Sequence, residues 1–382
     1  MAAPSTPLSA PALTRRALNR ATLHRQLLLA REPRSVLDTV THLAGMQAQA
    51  PLAPHVGLWT RLVDYDPAEL DALYEQRTVL RASLMRATVH LVAAADALAW
   101  QVMLAPISVR SVQGAFGKAL AGVDTEALAR TAEHLLTDAP RTTADLGRLL
   151  AGRFPGYEPA ALAYGARGRL GLVQVTPRGQ WGAGAGPAHT TIAAWLGRAP
   201  GPAPTPDGIF LRYLAAFGPA GVADAQQWSG LTRLSEAAER LRPQLRVVRD
   251  EDGRELFDLP DAPRPDPDTP APVRFLPAYD NLLLSYADRS RVIVNGRRPP
   301  LPPGNGSRAG TVLVDGLWHG IWKLETATTG SSAATGKAVL TVTAFGPVRA
   351  GDREQIEAEG VRLVSFVLPD AAAVDAVIAA EA

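Results

Sequence analysis

The sequence predicts an α+β protein, with tandem winged-helix domains followed by a C-terminal β-barrel-like domain. Two consecutive blocks each show three helical segments followed by strand and wing segments, which is the winged-helix order. After the proline-rich segment DAPRPDPDTPAP (261–272), the apolar spacing changes to the alternation typical of strands. At 382 residues and 47% hydrophobic content, the chain is long enough for two to four domains.

The first domain, predicted at 13–118, opens with helical spacing of its apolar residues. LNRATLHRQLLLA (18–30), SVLDTVTHLAGM (35–46) and AELDALYEQRTVL (68–80) are typical of amphipathic helices. SLMRATVHLVAA (83–94) favours a pair of strands, or one strand that leads into a helix. We therefore expect a winged-helix-like unit that is less regular than the two that follow.

The second domain, predicted at 119–204, contains the helical segments TEALARTAEHLLTDA, TTADLGRLLAG and PAALAYGARGRLG. Thr142 or Thr143 is the expected N-cap of the middle helix, since a threonine hydroxyl accepts a hydrogen bond from a free N–H of the first turn. LVQV then predicts a strand, and GAGAGPAH predicts a glycine-rich wing. This block therefore has the winged-helix order.

The third domain, predicted at 205–262, repeats that order. PDGIFLRYLAAFG, GVADAQQWSGL and TRLSEAAERLRPQL predict three helices. RVVRDEDGRELFDL then predicts two short strands around an Asp-Gly turn.

The C-terminal domain, predicted at 270–382, is rich in strand-like segments. These are VRFLPAYDNLLLSYADRSRVIVN (273–295), TVLVDGLWHGIWKLE (311–325), KAVLTVTAF (337–345) and EGVRLVSFVLP (359–369). A short alanine-rich helix is expected after the last of them. The pattern favours a small barrel or a curled sheet.

Composition excludes several classes of protein. No apolar run is long enough to span a membrane, and the start MAAPSTPLSA lacks the order of a signal peptide, so we expect a soluble cytoplasmic protein. The chain has no cysteine, and its seven histidines form no HxH or HxxxH pair. We therefore expect no metal and no other cofactor. Lysine occurs only as Lys118, Lys323 and Lys337, which leaves few amines for Schiff-base chemistry.

Arginine is segregated from acidic residues, although the net charge is only +2. The stretches 76–95, 159–206 and 289–314 contain arginine and no carboxylate, whereas 249–268 is strongly acidic. Such segregation suits a polyanion, because arginine contacts to phosphate supply most sequence-independent affinity for nucleic acid. The alternative is ordinary solvated arginine in a protein whose genome favours arginine over lysine.

The segment GMQAQAP (45–51) places two amides, Gln47 and Gln49, after a predicted helix. On a helix, side chains two residues apart diverge, whereas on extended backbone they share a face. Gly45 is a natural helix terminator and Pro51 disfavours helix at Ala50, so an extended segment with convergent amides is expected. The alternative is a polar helix end that caps itself.

Three stretches carry a family resemblance: GMQAQ (45–49), LMRATVHLV (84–92) and LPAYDNLLLSYADRSR (276–291). With the domain order, they make nearly the whole chain resemble the AlkZ-type winged-helix DNA glycosylases. A Gln-x-Gln element is the catalytic motif of that family and corresponds here to Gln47 and Gln49. The resemblance implies a monomer that acts on double-stranded DNA, excises N7-alkylated guanine and unhooks interstrand crosslinks from azinomycin-like bifunctional alkylating agents. This would serve DNA repair and self-resistance to a genotoxic natural product.

This chemistry is consistent with two neutral amides. N7 alkylation makes guanine cationic and a good leaving group, so no strong general acid is required. A glutamine carbonyl can orient the attacking water and stabilise positive charge on the sugar. Because a β-lyase step needs an amine, the scarcity of lysine favours a monofunctional glycosylase.

Predicted DNA contacts lie in two of the acid-free stretches. Thr88 and His90 alternate along RATVHLV and could point at DNA together; the alternative is that His90 is an ordinary core or surface histidine. The loop PPLPPGNGSRAG (299–310) is expected to reach into a groove. The full predicted set is Arg86, Thr88, His90, Arg289, Arg291, Arg297, Arg298 and Arg308. Asp280 and Asp288 are expected to pair with arginines or form turns.

A winged-helix transcription regulator without enzymatic activity is the alternative function, since recognition helices of this type usually read the major groove. Three features disfavour it: the helical blocks lie in series in one chain, the third block ends in an acidic wing, and no dimerisation helix is evident. A monomer that binds duplex DNA without sequence preference would favour the enzyme.

Overall fold

The structure is a computed structural model that describes residues 12–201, 204–294, 296, 309–326 and 337–380. The helices are α1 (Arg15–Arg25), α2 (Val36–His42), α3 (Ala53–Trp59), α4 (Pro67–Glu75), α5 (Ala94–Phe116), α6 (Thr125–Asp138), α7 (Thr143–Ala151), α8 (Pro159–Arg167), α9 (Ile192–Leu196), α10 (Pro206–Phe217), α11 (Val222–Ser229), α12 (Leu234–Leu241) and α13 (Ala350–Val367). Within these ranges, no helix is long and apolar enough to cross a membrane.

The strands are β1 (Met46–Gln47), β2 (Val79–Ser83), β3 (Val89–Ala93), β4 (Arg141–Thr142), β5 (Leu172–Gln174), β6 (Ala188–Thr191), β7 (Arg246–Arg249), β8 (Glu255–Asp258), β9 (Arg274–Leu276), β10 (Gly310–Val314), β11 (Leu317–Thr326), β12 (Lys337–Ala344) and β13 (Ala373–Ala380). Helices and strands alternate in blocks along the chain, so the predicted α+β class is confirmed.

A six-stranded antiparallel sheet joins the first two predicted domains. Its strand order is β1-β3-β2-β5-β6-β4, and β3 runs directly into α5. The link is the β2–β5 pair, in which Arg81 lies opposite Gln174 and Ala82 lies opposite Val173. The strands after α8 therefore extend a sheet that begins with the Gln-Ala-Gln segment.

Helices α6, α7 and α8 pack around an apolar core that includes Leu128, Leu136 and Leu162. Each such leucine contributes roughly 1.5–3 kcal/mol through burial of its side chain. Thr142 caps α7 by accepting a hydrogen bond from the backbone N–H of Asp145 at 3.1 Å. Thr142 is one of the two residues that the sequence predicted for this role.

Helices α10 to α12 precede the β7–β8 hairpin, in the order that the sequence predicted for 206–259. Their core contains Phe217 and Trp228 and continues to Trp100 of α5. Tyr286 enters this core from the C-terminal part of the chain and donates its hydroxyl to the backbone O of Phe217 at 2.6 Å. The C-terminal part is thereby fixed to the helical blocks.

The C-terminal sheet has the order β13-β12-β11-β10-β9, so β13 and β9 are its two edges. Over the described residues the sheet is open, and a closed barrel is not formed. The β12–β13 pair is parallel, whereas the other pairs are antiparallel.

The order of the last helix and strand was predicted wrongly. EGVRLVSFV, expected as a strand, belongs to α13, and the alanine-rich tail, expected as a helix, contains β13. Ile356, Gly360, Leu363 and Val364 are buried at helical spacing, and this pattern begins upstream of the stretch that was expected as a strand. A parallel strand also requires a crossover, which α13 supplies.

The expectation of continuous strand over 273–295 was also wrong. In the described part of this stretch only β9 is a strand, and Asn281–Leu283 form a turn of 3-10 helix. Pro277 interrupts strand pairing, Tyr279 has a φ of +64°, and the side chain of Asp280 caps the turn at the N–H of Leu282. This irregular segment carries Asn281 towards the Gln-Ala-Gln segment.

Candidate active site

The Gln-Ala-Gln segment lies where a helix gives way to a strand. α2 ends at His42, and Gly45 then has a φ of +91°. A Cβ on Gly45 would lie 2.7 Å from Cγ1 of Val92, so both the conformation and the space require glycine. Gln47 then pairs with His90 between β1 and β3.

The two amides converge on one side of the extended segment. The backbone N–H of Ala48 donates to the O of Val89 at 2.8 Å, which continues the pairing past Gln47. The side-chain Nε2 of Gln47 donates a hydrogen bond to Oε1 of Gln49. The predicted convergence of the amides is confirmed, and the backbone is extended through Ala48 before the chain bends at Gln49. Gln47 is only 6% exposed, whereas Gln49 is partly exposed and is therefore the outer amide.

Arg86 lies in a strained turn between β2 and β3. Met85–Ala87 form one turn of 3-10 helix, in which Arg86 has a φ of +54° and Ala87 a φ of +58°. Left-handed conformations of non-glycine residues cost about 1–3 kcal/mol each and persist where the surroundings impose them. The contacts of the Arg86 guanidinium are such a constraint.

The Arg86 guanidinium joins distant parts of the chain. Its Nη2 donates to Oε1 of Gln47 at 2.6 Å and to Oδ1 of Asn281 at 3.1 Å, and its Nη1 donates to the backbone O of Trp228. Over the described ranges, no carboxylate forms an ion pair with this group. Burial, and secondarily the charge of Arg289, lower the pKa of Arg86 to about 10, so the group remains protonated at neutral pH.

Thr88 and His90 support the Arg86 turn rather than face solvent together. His90 is 0% exposed; its Nδ1–H donates to the O of Thr88 at 3.0 Å, and its Nε2 accepts from Nη2 of Arg86 at 3.4 Å. Burial, with the Arg86 charge, lowers the pKa of His90 to about 3, so the ring is neutral. Thr88 donates its hydroxyl to the O of Met85 at 3.1 Å. Because its ring is buried behind Arg86, His90 fits the alternative of a core histidine, and its contact with DNA stays a prediction.

Two residues that were not selected from the sequence, Asn281 and Arg81, donate hydrogen bonds to the backbone of the Gln-Ala-Gln segment and of the glycine that precedes it. Asn281 donates from Nδ2 to the backbone O of Gly45 at 3.1 Å. Arg81 is 1% exposed and donates from Nη2 to the backbone O of Ala48 at 2.6 Å and from Nε to Oε1 of Gln174 at 3.2 Å. Arg81 was visible in an acid-free stretch, and Asn281 lies in LPAYDNLLLSYADRSR (276–291), one of the stretches that carry the family resemblance, but neither was selected as a site residue.

The other predicted DNA-contacting arginines separate into three groups. Arg289 is partly exposed, donates to the O of Tyr286 at 3.2 Å, and has its pKa lowered by burial. Arg291 is 5% exposed, donates to the O of Pro219 at 2.8 Å and stacks 4.3 Å from the centre of the Tyr286 ring. These contacts favour a structural role for Arg291, and its contact with DNA stays a prediction. Arg297, Arg298 and Arg308 lie outside the described residues.

Arg110 was missed by the sequence analysis. It is exposed on α5 and donates to the O of Gly230 at 3.3 Å. A Cβ on Gly230 would lie 3.4 Å from Cα of Arg86, so the residue that Arg110 contacts lies directly against Arg86. Arg289 lies close enough for its charge to lower the pKa of Arg86, so Arg110 and Arg289 are two further cationic side chains near Arg86.

A cavity of about 10 Å³, room for one water molecule, lies beside Gln47. Asp280 lines it and forms a buried ion pair with Arg61, with 3.0 Å between Oδ1 and Nη2. Asp288 pairs with Arg254. The expectation that both aspartates pair with arginines is confirmed. No cluster of three or more histidines, aspartates or glutamates that could hold a metal occurs in the part of the chain that the structure describes.

An α+β fold that places the guanidinium of Arg86 on a pair of amides, with Arg110 and Arg289 near Arg86, defines a protein suited to a nucleic-acid substrate. The family model described as "DNA glycosylase AlkZ-like" matches residues 40–366. The chain therefore belongs to the AlkZ-like family of DNA glycosylases, enzymes of DNA repair whose substrate is DNA.

The structure of the Streptomyces sahachiroi DNA glycosylase AlkZ is similar to this chain, with a TM-score of 0.75. The match covers 97% of this chain and 100% of that one at 19% sequence identity, and so shows a shared fold. No curated protein sequence gives a significant match.

Proposed function

We propose that this protein is a monofunctional glycosylase that hydrolyses the N-glycosidic bond of N7-alkylguanine in double-stranded DNA, with Gln47 and Gln49 as its catalytic amides. We extend the proposal to interstrand crosslinks from azinomycin-like bifunctional alkylating agents, and so to self-resistance against a genotoxic natural product. The observation that supports it is the hydrogen-bonded amide pair, bordered by Arg86, in a chain of a DNA glycosylase family.

The reaction requires little proton transfer to the base. The C1′–N9 bond breaks, and its electron pair neutralises the positive charge that alkylation placed on guanine. A water oxygen bonds to C1′, and the water proton passes to solvent. The amide carbonyl of Gln49, which accepts a hydrogen bond from Gln47, is the group that we propose orients that water, since a carbonyl oxygen can accept more than one hydrogen bond. The negative end of the carbonyl dipole also stabilises the positive charge that develops on the sugar.

The positions of the lysines support hydrolysis without strand cleavage. Lys323 and Lys337 belong to the C-terminal sheet, and Lys337 pairs with Asp375 at 3.2 Å. Lys118 follows α5. In the described chain, no lysine lines the cavity beside Gln47. We therefore expect an intact abasic site as the product, because a β-lyase step needs an amine at C1′.

Phosphate contacts are proposed for the arginines around the amide pair. Arg110 and Arg289 are exposed or partly exposed, and neither forms an ion pair with a carboxylate among the described residues. Arginines with unneutralised charge are the groups that bind the DNA backbone. We propose that the protein acts as a cytoplasmic monomer and meets its substrate on the chromosome.

A regulator that reads DNA with α12 is disfavoured by the charges of that helix. The arginines within and beside α12 are paired with acids: Arg233 with Glu236, Arg240 with Asp207, and Arg242 with Glu239 and Glu255. Their charges are thus neutralised within the protein.

The test is single-turnover release of N7-methylguanine from a duplex by the wild type, Gln47→Ala and Gln49→Ala, with DNA affinity measured in parallel. Gln244→Ala, a substitution at an exposed glutamine after α12, is the matched control. We expect wild-type release, slower release by both site variants at unchanged affinity, and no effect of the control. A crosslinked duplex tests unhooking, and duplexes with uracil or 1,N6-ethenoadenine should remain intact.

A wild type that binds duplex tightly and releases no base would contradict the enzymatic proposal and return the regulator to consideration. Appreciable excision of uracil would contradict the dependence on a cationic leaving group. A product that is cleaved at the abasic site would contradict the monofunctional mechanism.

A further inference from the structure

We propose that Arg86 is a positioning residue that sets the orientation of both catalytic amides through Gln47. The inference rests on the proposed function and assigns a role within that site. Arg86 was predicted from the sequence to bind DNA, but its guanidinium is directed to protein acceptors: Gln47, Asn281 and Trp228.

The chemistry of the groups determines which atoms can meet. A guanidinium only donates hydrogen bonds, whereas a glutamine amide presents a carbonyl on one side and an NH₂ on the other. At 2.6 Å from Nη2 of Arg86, the atom of Gln47 must therefore be Oε1. This leaves Nε2 of Gln47 towards Gln49, and Gln49 must meet it with Oε1. One charged donor thus fixes the orientation of Gln47, and the Gln47–Gln49 hydrogen bond in turn requires that Oε1 of Gln49 face Gln47.

Without Arg86, nothing in this pair of contacts would distinguish the two orientations of Gln47. A 180° rotation of an amide exchanges a donor for an acceptor with almost no change in shape. Gln47 would then present its own carbonyl to Oε1 of Gln49, and the hydrogen bond between the amides would be kept only if Gln49 rotated too. In that rotated pair, the carbonyl that we assign to the attacking water is exchanged for an NH₂, which cannot accept a hydrogen bond from that water.

Arg86 itself is held by parts of the chain that are far apart in sequence. Trp228 lies in α11, Asn281 follows β9, and His90 on β3 presents an acceptor nitrogen. His90 presents that nitrogen because its other nitrogen donates to Thr88. These contacts, with the left-handed backbone at Arg86, are what a rigid donor requires. The order of the relay is therefore His90 and Asn281, then Arg86, then Gln47, then Gln49.

Because the acceptors of Arg86 among the described residues are all neutral, they do not compensate its positive charge, which could also bind a DNA phosphate. The experiment must therefore distinguish direct phosphate binding from positioning of the amides. A double-mutant cycle does so, because residues that act in series give non-additive effects. The variants are Arg86→Met, Gln47→Ala and the combination, assayed for single-turnover release of N7-methylguanine and for DNA affinity. We expect Arg86→Met to slow release roughly 10- to 100-fold and to leave affinity nearly unchanged. Added to Gln47→Ala, it should slow release no further.

Arg167→Met is the matched control. Arg167 is also partly buried, donates to a neutral histidine (His189, 3.3 Å) and to Thr143, and has no carboxylate partner in the described ranges. Its loss removes the same kind of contact from another part of the fold. We expect this variant to release the base at the wild-type rate.

Arg86→Lys tests the relay in a variant that keeps the charge and one donor. We expect Arg86→Lys to release the base faster than Arg86→Met and more slowly than the wild type. In the Gln47→Ala background, Arg86→Lys should not change the release rate. If Arg86→Met does not fold, Arg86→Lys replaces it in the double-mutant cycle. Multiplicative effects of the two substitutions, or a loss of affinity with an unchanged release rate, would overturn the proposal. A wild type that releases no base would instead reject the proposed function, which keeps the two failures distinct.

Discussion

The guanidinium of Arg81 donates a hydrogen bond to the backbone carbonyl of Ala48 at 2.6 Å, directly between the two proposed catalytic glutamines. Arg81 is on β2 and Ala48 follows β1, so the bond crosses behind β3, the strand that separates them in the sheet. The middle peptide of the motif is thereby fixed from its buried side, while Arg86 fixes the Gln47 side chain.

Replacement of Arg81 by methionine should loosen the motif without touching either amide. The carbonyl of Ala48 would lose its buried donor, which costs roughly 1–3 kcal/mol, and the release rate should fall about tenfold through misplacement. Urea unfolding and single-turnover release, measured well below the melting temperature, check the two effects. Gly179→Ala should act in the same direction, because its Cβ would lie 2.5 Å from Cδ of Arg81. Wild-type release by both variants would show that the backbone bond is dispensable.

Gly45→Ala should displace the start of the motif. At a φ of +91° and 2.7 Å from Cγ1 of Val92, an alanine methyl group is both strained and obstructed, for a loss of roughly 1–3 kcal/mol in unfolding free energy. Base release should slow together with stability. Gly114→Ala is the control: Gly114 lies in α5, a methyl group there would meet no described atom within 4 Å, and alanine should stabilise by up to about 1 kcal/mol. Equal effects of the two substitutions would contradict this account.

The local geometry of the motif could be predicted from the sequence, but its surroundings could not. Gly45 and Pro51 are sufficient to indicate extended backbone at Gln47 and Gln49. Asn281 reaches the motif only through tertiary packing, from more than two hundred positions away.

The sequence also could not show which side chains of a strand or segment are buried and which are exposed. Arg289 and Arg291 lie in the same acid-free stretch, yet Arg291 packs on Tyr286 inside the protein and Arg289 remains partly exposed. His90 was correctly expected on a strand, but alternation alone does not say which face is covered. At the C-terminus, α13 was mistaken for a strand because EGVRLVSFVLP excludes the polar first half of that helix.

The release rate should be independent of pH between about 5 and 9. The partners of the Gln47 side chain are Arg86 and Gln49; the pKa of Arg86 is lowered to about 10, and that of the neighbouring His90 to about 3. Neither group changes its protonation in this range. Single-turnover rates at fixed ionic strength check the profile. A bell-shaped curve would instead indicate a general acid or base, for which Asp280 in the adjacent cavity would be the first residue to substitute.

Stability should fall with acidification before the carboxylates titrate. Burial lowers the pKa of His55 to about 4 and those of His90 and His189 to about 3, against an ordinary value near 6.5. Below pH 6.5 these histidines are therefore protonated in the unfolded chain but remain neutral in the folded chain. The free energy of unfolding is highest above pH 6.5 and decreases as the pH falls towards 4. Each histidine contributes a slope of up to about 1.4 kcal/mol per pH unit.

Urea unfolding at several pH values between 7 and 4.5 measures this slope, and His189→Gln should reduce it by roughly a quarter, because burial also lowers the pKa of His42. The glutamine removes one titrating ring and retains hydrogen-bonding capacity near Arg167. A free energy of unfolding that stays constant down to pH 5 would mean that these rings are protonated in the folded state.

Arg110→Ala and Arg289→Ala should weaken DNA binding through loss of phosphate contacts. Each should reduce the slope of log K against log salt concentration by about 0.9, since one phosphate contact releases about that number of counterions. Undamaged duplex suffices, because these contacts do not read the lesion. Arg148→Ala is the control, because Arg148 is exposed on α7 but pairs with Asp145 at 3.4 Å. If the arginine pair leaves the slope unchanged, DNA must approach the amide pair from another direction, and Arg297, Arg298 and Arg308 become the residues to substitute.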